Sequence, residues 1–376
     1  MHTKAFAGGN QPTAAISVGC AIRGLMTLAA FLLSTAGCDG APQRTPPSPI
    51  ESDTPTQPRE IVEDSLQLEE VWRRSGILLP RTGGESAAIA IADGLVAYVS
   101  HSKDFRAAEL HMVRAESSAP IWEESLPPFE HSLVLDSRSV YVAVDWEIRA
   151  FDTSSGRLRW RSGELPGHAR YFLNLQDGAL TAYSDENSLL GRQAVIRTYD
   201  PVVGTQLSIS RLGAEVDSHI ALQTASTNYW VGPSEVWAES RNGNGKVWET
   251  DLLPSEARVP YLPAITSKTL ILAHGAPPRL QSINLSSGEL IWRSAEGMAS
   301  NFALLADVLY AVDESGTLVA IDSETGLEVG RTRFSDEITR VELGSMAFWV
   351  AASDHLIIVY YGDSEEMIAF RLPEER

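Results

Sequence analysis

The sequence predicts an all-β chain assembled from a repeated four-stranded unit, and three observations carry that prediction. From about residue 66 onward, short apolar and β-branched runs recur, at 95–99, 140–144, 270–273, 308–312 and 356–359. Turn residues separate them, and no stretch keeps a helical period for three turns. Many of the runs are apolar on both faces, which a strand adopts when its sheet lies between two other sheets. An eleven-residue pattern also returns at intervals of about 40 residues. Sheets packed face to face in a repeating series are the blades of a β-propeller.

The elements follow in chain order. Residues 1–37 carry Lys4 and Arg23 and no acidic residue, then an apolar run at 25–33, then Ser34-Thr35-Ala36-Gly37-Cys38. Charge, apolar core and small residues in that order read as a secretory signal. The apolar run is well short of the roughly 20 residues that span a bilayer. The small residues ending at Cys38 resemble a bacterial lipobox, so Cys38 is the expected lipidation site and mature N-terminus. Residues 38–65 hold the lipidated Cys38 and a Pro-rich tether, with Pro42, Pro46, Pro47, Pro49, Pro55 and Pro58 among serine, threonine and charge. Such a segment cannot bury enough apolar area to fold by itself.

Residues 66–376 form the predicted propeller. Leu68-Glu-Glu-Val-Trp72 reads as an outgoing strand without its hairpin partner. The repeat then appears six times. Ala150 to Trp160 contains Asp152, Gly156 and Trp160; Ser282 to Trp292 contains Asn284, Gly288 and Trp292. Ala320 to Gly330 keeps Asp322 and Gly326 but has glycine in the tryptophan place. Ala238 to Trp248 has Asn244-Gly245 at the turn, Thr198 to Ser208 keeps Asp200 and Gly204, and Met112 to Trp122 lacks the glycine. The unit is a hairpin: Asp or Asn caps the turn, glycine supplies a positive φ, and the tryptophan packs between sheets. Beyond them, 346–354, 355–361 and 367–372 read as three strands of a last blade. The strand at Leu68–Trp72 would supply the fourth. The expectation is seven four-stranded blades, with eight as the alternative, closed by the N-terminal strand completing the C-terminal blade.

The eleven-residue unit resembles the repeat of the PQQ-like, or quinoprotein, β-propellers. The resemblance spans roughly residues 66–376. Among such proteins the chain is similar to the propeller lipoproteins of the outer-membrane β-barrel assembly machine, which normally have eight blades and scaffold other proteins. The resemblance implies a non-catalytic, protein-binding body. Quinoprotein dehydrogenases share the blade motif but use an adjacent cysteine pair, a calcium site and an aspartate base. Here the two cysteines, Cys20 and Cys38, both precede the body.

Composition narrows the function further. Acidic residues outnumber basic ones by 49 to 30, for a net charge of −19, which argues against nucleic-acid binding. The body has no cysteine for a disulfide, zinc site or nucleophile. There is no calcium loop and no Gly-x-Ser-x-Gly elbow. Gly243-Asn-Gly245-Lys246 falls at a repeat turn and reads as structure, not as a phosphate loop. The eight histidines occur singly and read as loop or surface residues. No catalytic, cofactor or metal residues are therefore expected. Trp146, Tyr229, Trp230 and Trp237, near loops, are candidate partner contacts, although inter-blade packing is the favoured role for each. The expected function is a non-enzymatic, lipid-anchored scaffold for envelope proteins. Its place is periplasmic or on the outer face of the cytoplasmic membrane, with the outer membrane as a further location. The alternative is a small-ligand binder or degenerate quinoprotein-type enzyme using the central channel. A channel lined by converging charged side chains would favour that alternative.

Overall fold

The computed structural model describes residues 66–79, 89–128, 131–144, 146–163, 165, 171–176, 178–188, 191–211, 220–232, 234–243, 245–252, 262–275, 278–333, 348–353 and 355–373. The signal sequence, Cys38, the Pro-rich segment and Asn244 lie outside them. Among the described residues no helix is long and apolar enough to cross a membrane.

The described strands form seven four-stranded antiparallel units. The first strand, β1 (Glu69–Ser75), belongs to the last of them. Blade 1 holds β2 (Ile89–Ala92), β3 (Leu95–His101), β4 (Ala108–Arg114) and β5 (Pro120–Leu126). Blade 2 holds β6 (His131–Leu135), β7 (Ser139–Val144), β8 (Glu147–Asp152) and β9 (Leu158–Arg161). Blade 3 holds β10 (Tyr171–Gln176), β11 (Ala179–Ser188), β12 (Gly191–Tyr199) and β13 (Gln206–Arg211). Blade 4 holds β14 (Ile220–Gln223), β15 (Thr227–Val231), β16 (Glu235–Ser240) and β17 (Lys246–Asp251). Blade 5 holds β18 (Ala264–Ile265), β19 (Thr269–His274), β20 (Arg279–Asn284) and β21 (Leu290–Arg293). Blade 6 holds β22 (Met298–Leu305), β23 (Val308–Asp313), β24 (Thr317–Asp322) and β25 (Glu328–Arg333). Blade 7 holds β26 (Phe348–Ser353), β27 (Leu356–Tyr361), β28 (Glu366–Arg371) and then β1.

Packing explains why the second strands read as unbroken apolar runs. Every residue of β7 and of β19 is buried, because each face of the sheet meets another blade. Outer strands such as β9 bury only the residue that faces a neighbour. The buried side chains link blade 1 to blade 2, blade 2 to blade 3, and blades 3, 4 and 5 together. They continue from blade 5 to blade 6, from 6 to 7, and from 7 back to 1. Among the described residues the succession of buried clusters runs through all seven blades and returns to the first. Blades 6 and 7 are tied further at their inner strands. Ser300 bridges Phe348 in parallel, while the Asn301 amide donates to Val350 O at 2.9 Å and accepts from Val350 N at 2.7 Å.

The N-terminal strand completes blade 7. Its register runs antiparallel from Glu69 opposite Arg371 to Ser75 opposite Glu366, with a bulge between Glu70 and Trp72. Arg73 pairs with Glu366 at 3.1 Å and Arg371 with Glu69 at 3.0 Å across the seam. Past the strand, the Ile77 N–H donates to Glu365 O. Covering β28 in this way removes an edge that would otherwise offer unpaired backbone groups.

Candidate functional site

Three regions of the propeller are placed to carry function: the turns joining third and fourth strands, the central channel, and the outer rim.

The turns come first because they position the rest. Asp152 Oδ1 accepts from the N–H groups and hydroxyls of Ser154 and Ser155. Asp322 Oδ1 accepts from the Thr325 N–H and hydroxyl. The Ser154 hydroxyl at the first and the Thr325 hydroxyl at the second hold these carboxylates below their ordinary range. Asn284 makes the same bonds to Ser286 and Ser287 without a charge. The glycine four residues after each of these three caps has a positive φ, 68° at Gly156, 77° at Gly288 and 69° at Gly326.

Each tryptophan place serves the following blade. Trp122 Nε1 donates to Thr153 O at 2.7 Å, Trp160 to Pro201 O at 2.9 Å, Trp248 to Leu285 O at 2.8 Å and Trp292 to Ser323 O at 2.9 Å. Trp72, from the closing strand, donates to Ala115 O of blade 1 at 2.6 Å. The ring then lies on the turn glycine. A Cβ on Gly156 would come within 2.9 Å of Trp122, and one on Gly204 within 2.5 Å of Trp160. At Gly288 the distance to Trp248 is 2.7 Å, and at Gly326 the distance to Trp292 is 2.5 Å. Glycine is thus required twice over, for the left-handed backbone and for the approach of the indole. In blade 1, Ser118 takes the left-handed place at φ 51°.

Two tryptophan places are vacant. Ser208 stands in blade 3, and the turn position of blade 4 that matches Gly156 is Asn244, outside the described residues. Gly330 stands in blade 6. Blade 7 has no third-to-fourth-strand turn to receive an indole, because the chain break falls there. Instead Leu66 lies 3.1 Å from the Cβ position of Gly330, and the Leu66 N–H donates to Arg331 O. The lead-in to the closing strand fills that gap, a role the repeat pattern does not reveal.

The central channel is an apolar cavity of about 370 Å³. It is lined from the inner strands by residues such as Ile91, Leu133, Leu175, Phe302 and Val350, with Asn174 and Asn301 as its polar members. Asn301 already uses its amide on Val350. Among the described lining residues none is charged. An anionic, polar quinone meets no charged side chain among the described lining residues, so that part of the lining does not fit the cofactor.

On the rim, three of the four aromatic candidates prove to be core. Tyr229, Trp230 and Trp237 are buried in one cluster spanning blades 3 to 5. Adjacent residues Tyr229 and Trp230 point to opposite faces of β15, and both faces are covered. Trp146 is exposed. The histidine reading also needs correcting, since His111 and His274 are buried. What the rim exposes is aliphatic. Leu207, Val247, Ile291 and Val329, each just before a tryptophan place on an outer strand, are all exposed. Blade 3 has the densest patch, with Val202, Val203 and Ile209 added to Leu207. Its outer strand β13 reads Gln-Leu-Ser-Ile-Ser-Arg, with no charge before Arg211.

A family model described as outer membrane protein assembly factor BamB matches residues 65–195 and 192–375. No curated protein matches the chain in sequence. Among solved structures, BamB from Moraxella catarrhalis is similar at 12% identity and a TM-score of 0.47, covering 81% of this chain and 100% of that one. The computationally designed Ika8 protein is similar at 10% identity and a TM-score of 0.49, covering 80% of this chain and 100% of that one. Since the two matches of the family model together take in residues 65–375, well over half of the chain, the chain belongs to the family of outer membrane protein assembly factor BamB.

Proposed function

We propose that the protein is a lipid-anchored, non-enzymatic propeller that binds envelope proteins and assists the assembly of outer-membrane proteins. The observation that carries this reading is the contrast between channel and rim. The channel is apolar and offers no charged group among its described residues. The rim of blade 3 leaves four aliphatic side chains in water, Val203 and Leu207 at 60% and 61% exposure. Apolar patches left exposed on a soluble body mark interaction sites, and family membership supplies the context of outer-membrane assembly. In this reading Cys38 carries the lipid, residues 38–65 are the tether, and the body works in the periplasm or at a membrane facing it.

Two experiments test it. Photo-crosslinking probes at Leu207 and Val203 should capture defined envelope proteins in intact cells, and a probe at Arg138 should not. Equal labelling at all three positions would remove blade 3 as the docking face. Cys38→Ser should release the protein from membranes and abolish palmitate incorporation, and unchanged fractionation would end the anchor proposal.

A further inference from the structure

The outer half of blade 1 holds a cluster that the scaffold reading does not use. Glu109 and His111 are two residues apart on β4, so they share one face of the sheet. Glu123 on β5 sits directly opposite His111 in the antiparallel register. Ser100 and Tyr98 on β3 complete the surroundings. His111 is 8% exposed and stacks on Tyr98, with ring centroids 4.7 Å apart and planes at 16°. Its Nε2 lies 2.7 Å from Ser100 Oγ and 3.8 Å from Glu109 Oε2. Its Nδ1 lies 3.2 Å from Glu123 Oε1, yet is shielded from water and makes no properly angled hydrogen bond. One donor atom from each of Glu109, His111 and Glu123 falls within 4.8 Å of the others.

We propose that Glu109, His111 and Glu123 form a binding site for a divalent transition-metal cation, with Zn²⁺ as the best-matched probe. One imidazole and two carboxylates are a suitable nitrogen and oxygen donor set for such an ion. The imidazole is already oriented. In the tautomer whose Nε2–H donates to Ser100 Oγ, the Nδ1 lone pair points beside the Glu123 carboxylate and not at it, so that both could reach one ion. A bond of that kind to the other ring nitrogen fixes the tautomer of a ligating histidine. The carboxylates are half-exposed and mobile enough to close on an ion. Among the described residues neither carboxylate pairs with lysine or arginine. The one cation facing the cluster from the adjoining blade is Arg74, over the Tyr98 ring at 5.9 Å. Three protein ligands leave coordination positions for water or for a partner's side chain.

The sequence signal is faint, a Glu-x-His on one strand and a glutamate twelve residues later. Only the register brings the third ligand across.

The test uses the full mature chain, freed of metal with chelator and then titrated near neutral pH. Calorimetry with Zn²⁺ should show one site saturating below about 100 µM. Co²⁺ should give visible absorption bands from a nitrogen- and oxygen-ligated ion. His111→Gln should abolish both, and Glu109→Gln and Glu123→Gln should each weaken binding at least tenfold. Binding should weaken as pH falls and His111 takes a proton. If His111→Gln does not fold, Glu123→Gln alone decides, because its side chain is half-exposed. Absence of a stoichiometric site, or unchanged binding in Glu123→Gln, overturns the proposal.

Discussion

The seam between blades 5 and 6 and the seam between blades 3 and 4 use the same repeat and close differently. In the first, Trp292 bonds Ser323 O and lies on Gly326. In the second, Ser208 replaces the indole, and the matching turn position carries Asn244 in place of the glycine. Blades 3 and 4 still pack, through the buried cluster that includes Phe172, Tyr183 and Trp230. The indole dock is therefore an added staple at the rim, and the inner strands carry the seam without it. Where the staple is absent, blade 3 also has its exposed aliphatic patch. Loss of a structural residue and gain of a binding surface coincide on one blade.

The largest test of this division is at the closing strand, which supplies both the outer ladder of blade 7 and a staple. Deleting residues 39–76 removes β1, the Trp72 bond to Ala115 and the Leu66 plug over Gly330. Truncating a buried aromatic alone typically costs about 3–5 kcal/mol, against a total stability of about 5–15 kcal/mol. The shortened chain should melt many degrees lower or aggregate through the bared β28 edge. Deleting 39–60 leaves every described interaction in place and should not change the melting temperature. Equal melting of both variants would show that β1 does not hold the ring.

Next in size is a pair of glycine substitutions. Gly326→Ala places a Cβ 2.5 Å from Trp292 and keeps a left-handed backbone. Strain of about 1–2 kcal/mol per left-handed residue then adds to a displaced indole, for about 3 kcal/mol or more. Gly245→Ala meets no neighbour, so only the strain of about 1 kcal/mol remains. Denaturant melts of the two variants should differ accordingly, and equal losses would mean the indole dock contributes little.

Restoring the repeat should give opposite signs at the two vacant places. Ser208→Trp restores the indole that Trp160, Trp248 and Trp292 supply at the same place in their blades and should be neutral or stabilising by about 1 kcal/mol. Gly330→Trp meets Leu66, 3.1 Å from its Cβ position, and should destabilise by about 1–3 kcal/mol through overpacking. A gain at both positions would show that Leu66 is not a plug.

These cases also show what could be read from the chain. The blade architecture was legible because it rests on local signals, apolar runs of strand length and a turn pattern at constant spacing. The N-terminal strand was legible by counting strands. The reason for glycine at 156 or 326 was only half legible, since the indole above each comes from the preceding blade. Leu66 was invisible because its partner, Gly330, is remote in sequence. The aromatics at 229, 230 and 237 take the packing role that the sequence favours for them, because sheets cover both faces of their strands. His111 and its carboxylates escaped because a lone histidine on a strand gains its neighbours only through register.

The smallest effect lies at the same seam as the largest. Glu116, in the blade 1 turn beside the Trp72 acceptor, reaches His355 Nε2 at 2.5 Å and Arg371 at 2.6 Å. The His355 contact first, then Arg371, holds the Glu116 carboxyl below its ordinary value. A carboxylate with a depressed folded pKa stabilises the fold at pH above its unfolded value of about 4.3. That stability is lost as pH falls through the folded value. The group is about half exposed, so the pair is screened and contributes no more than about 1 kcal/mol. Wild type should therefore melt slightly above Glu116→Gln at pH 7, and the gap should close below about pH 4. Salt at about 0.5 M should shrink the gap at pH 7, since the Debye length is then only a few ångströms. A gap that persists in acid and salt would mean that Glu116 acts by packing on blade 7, and the seam would owe nothing to its ion pairs there.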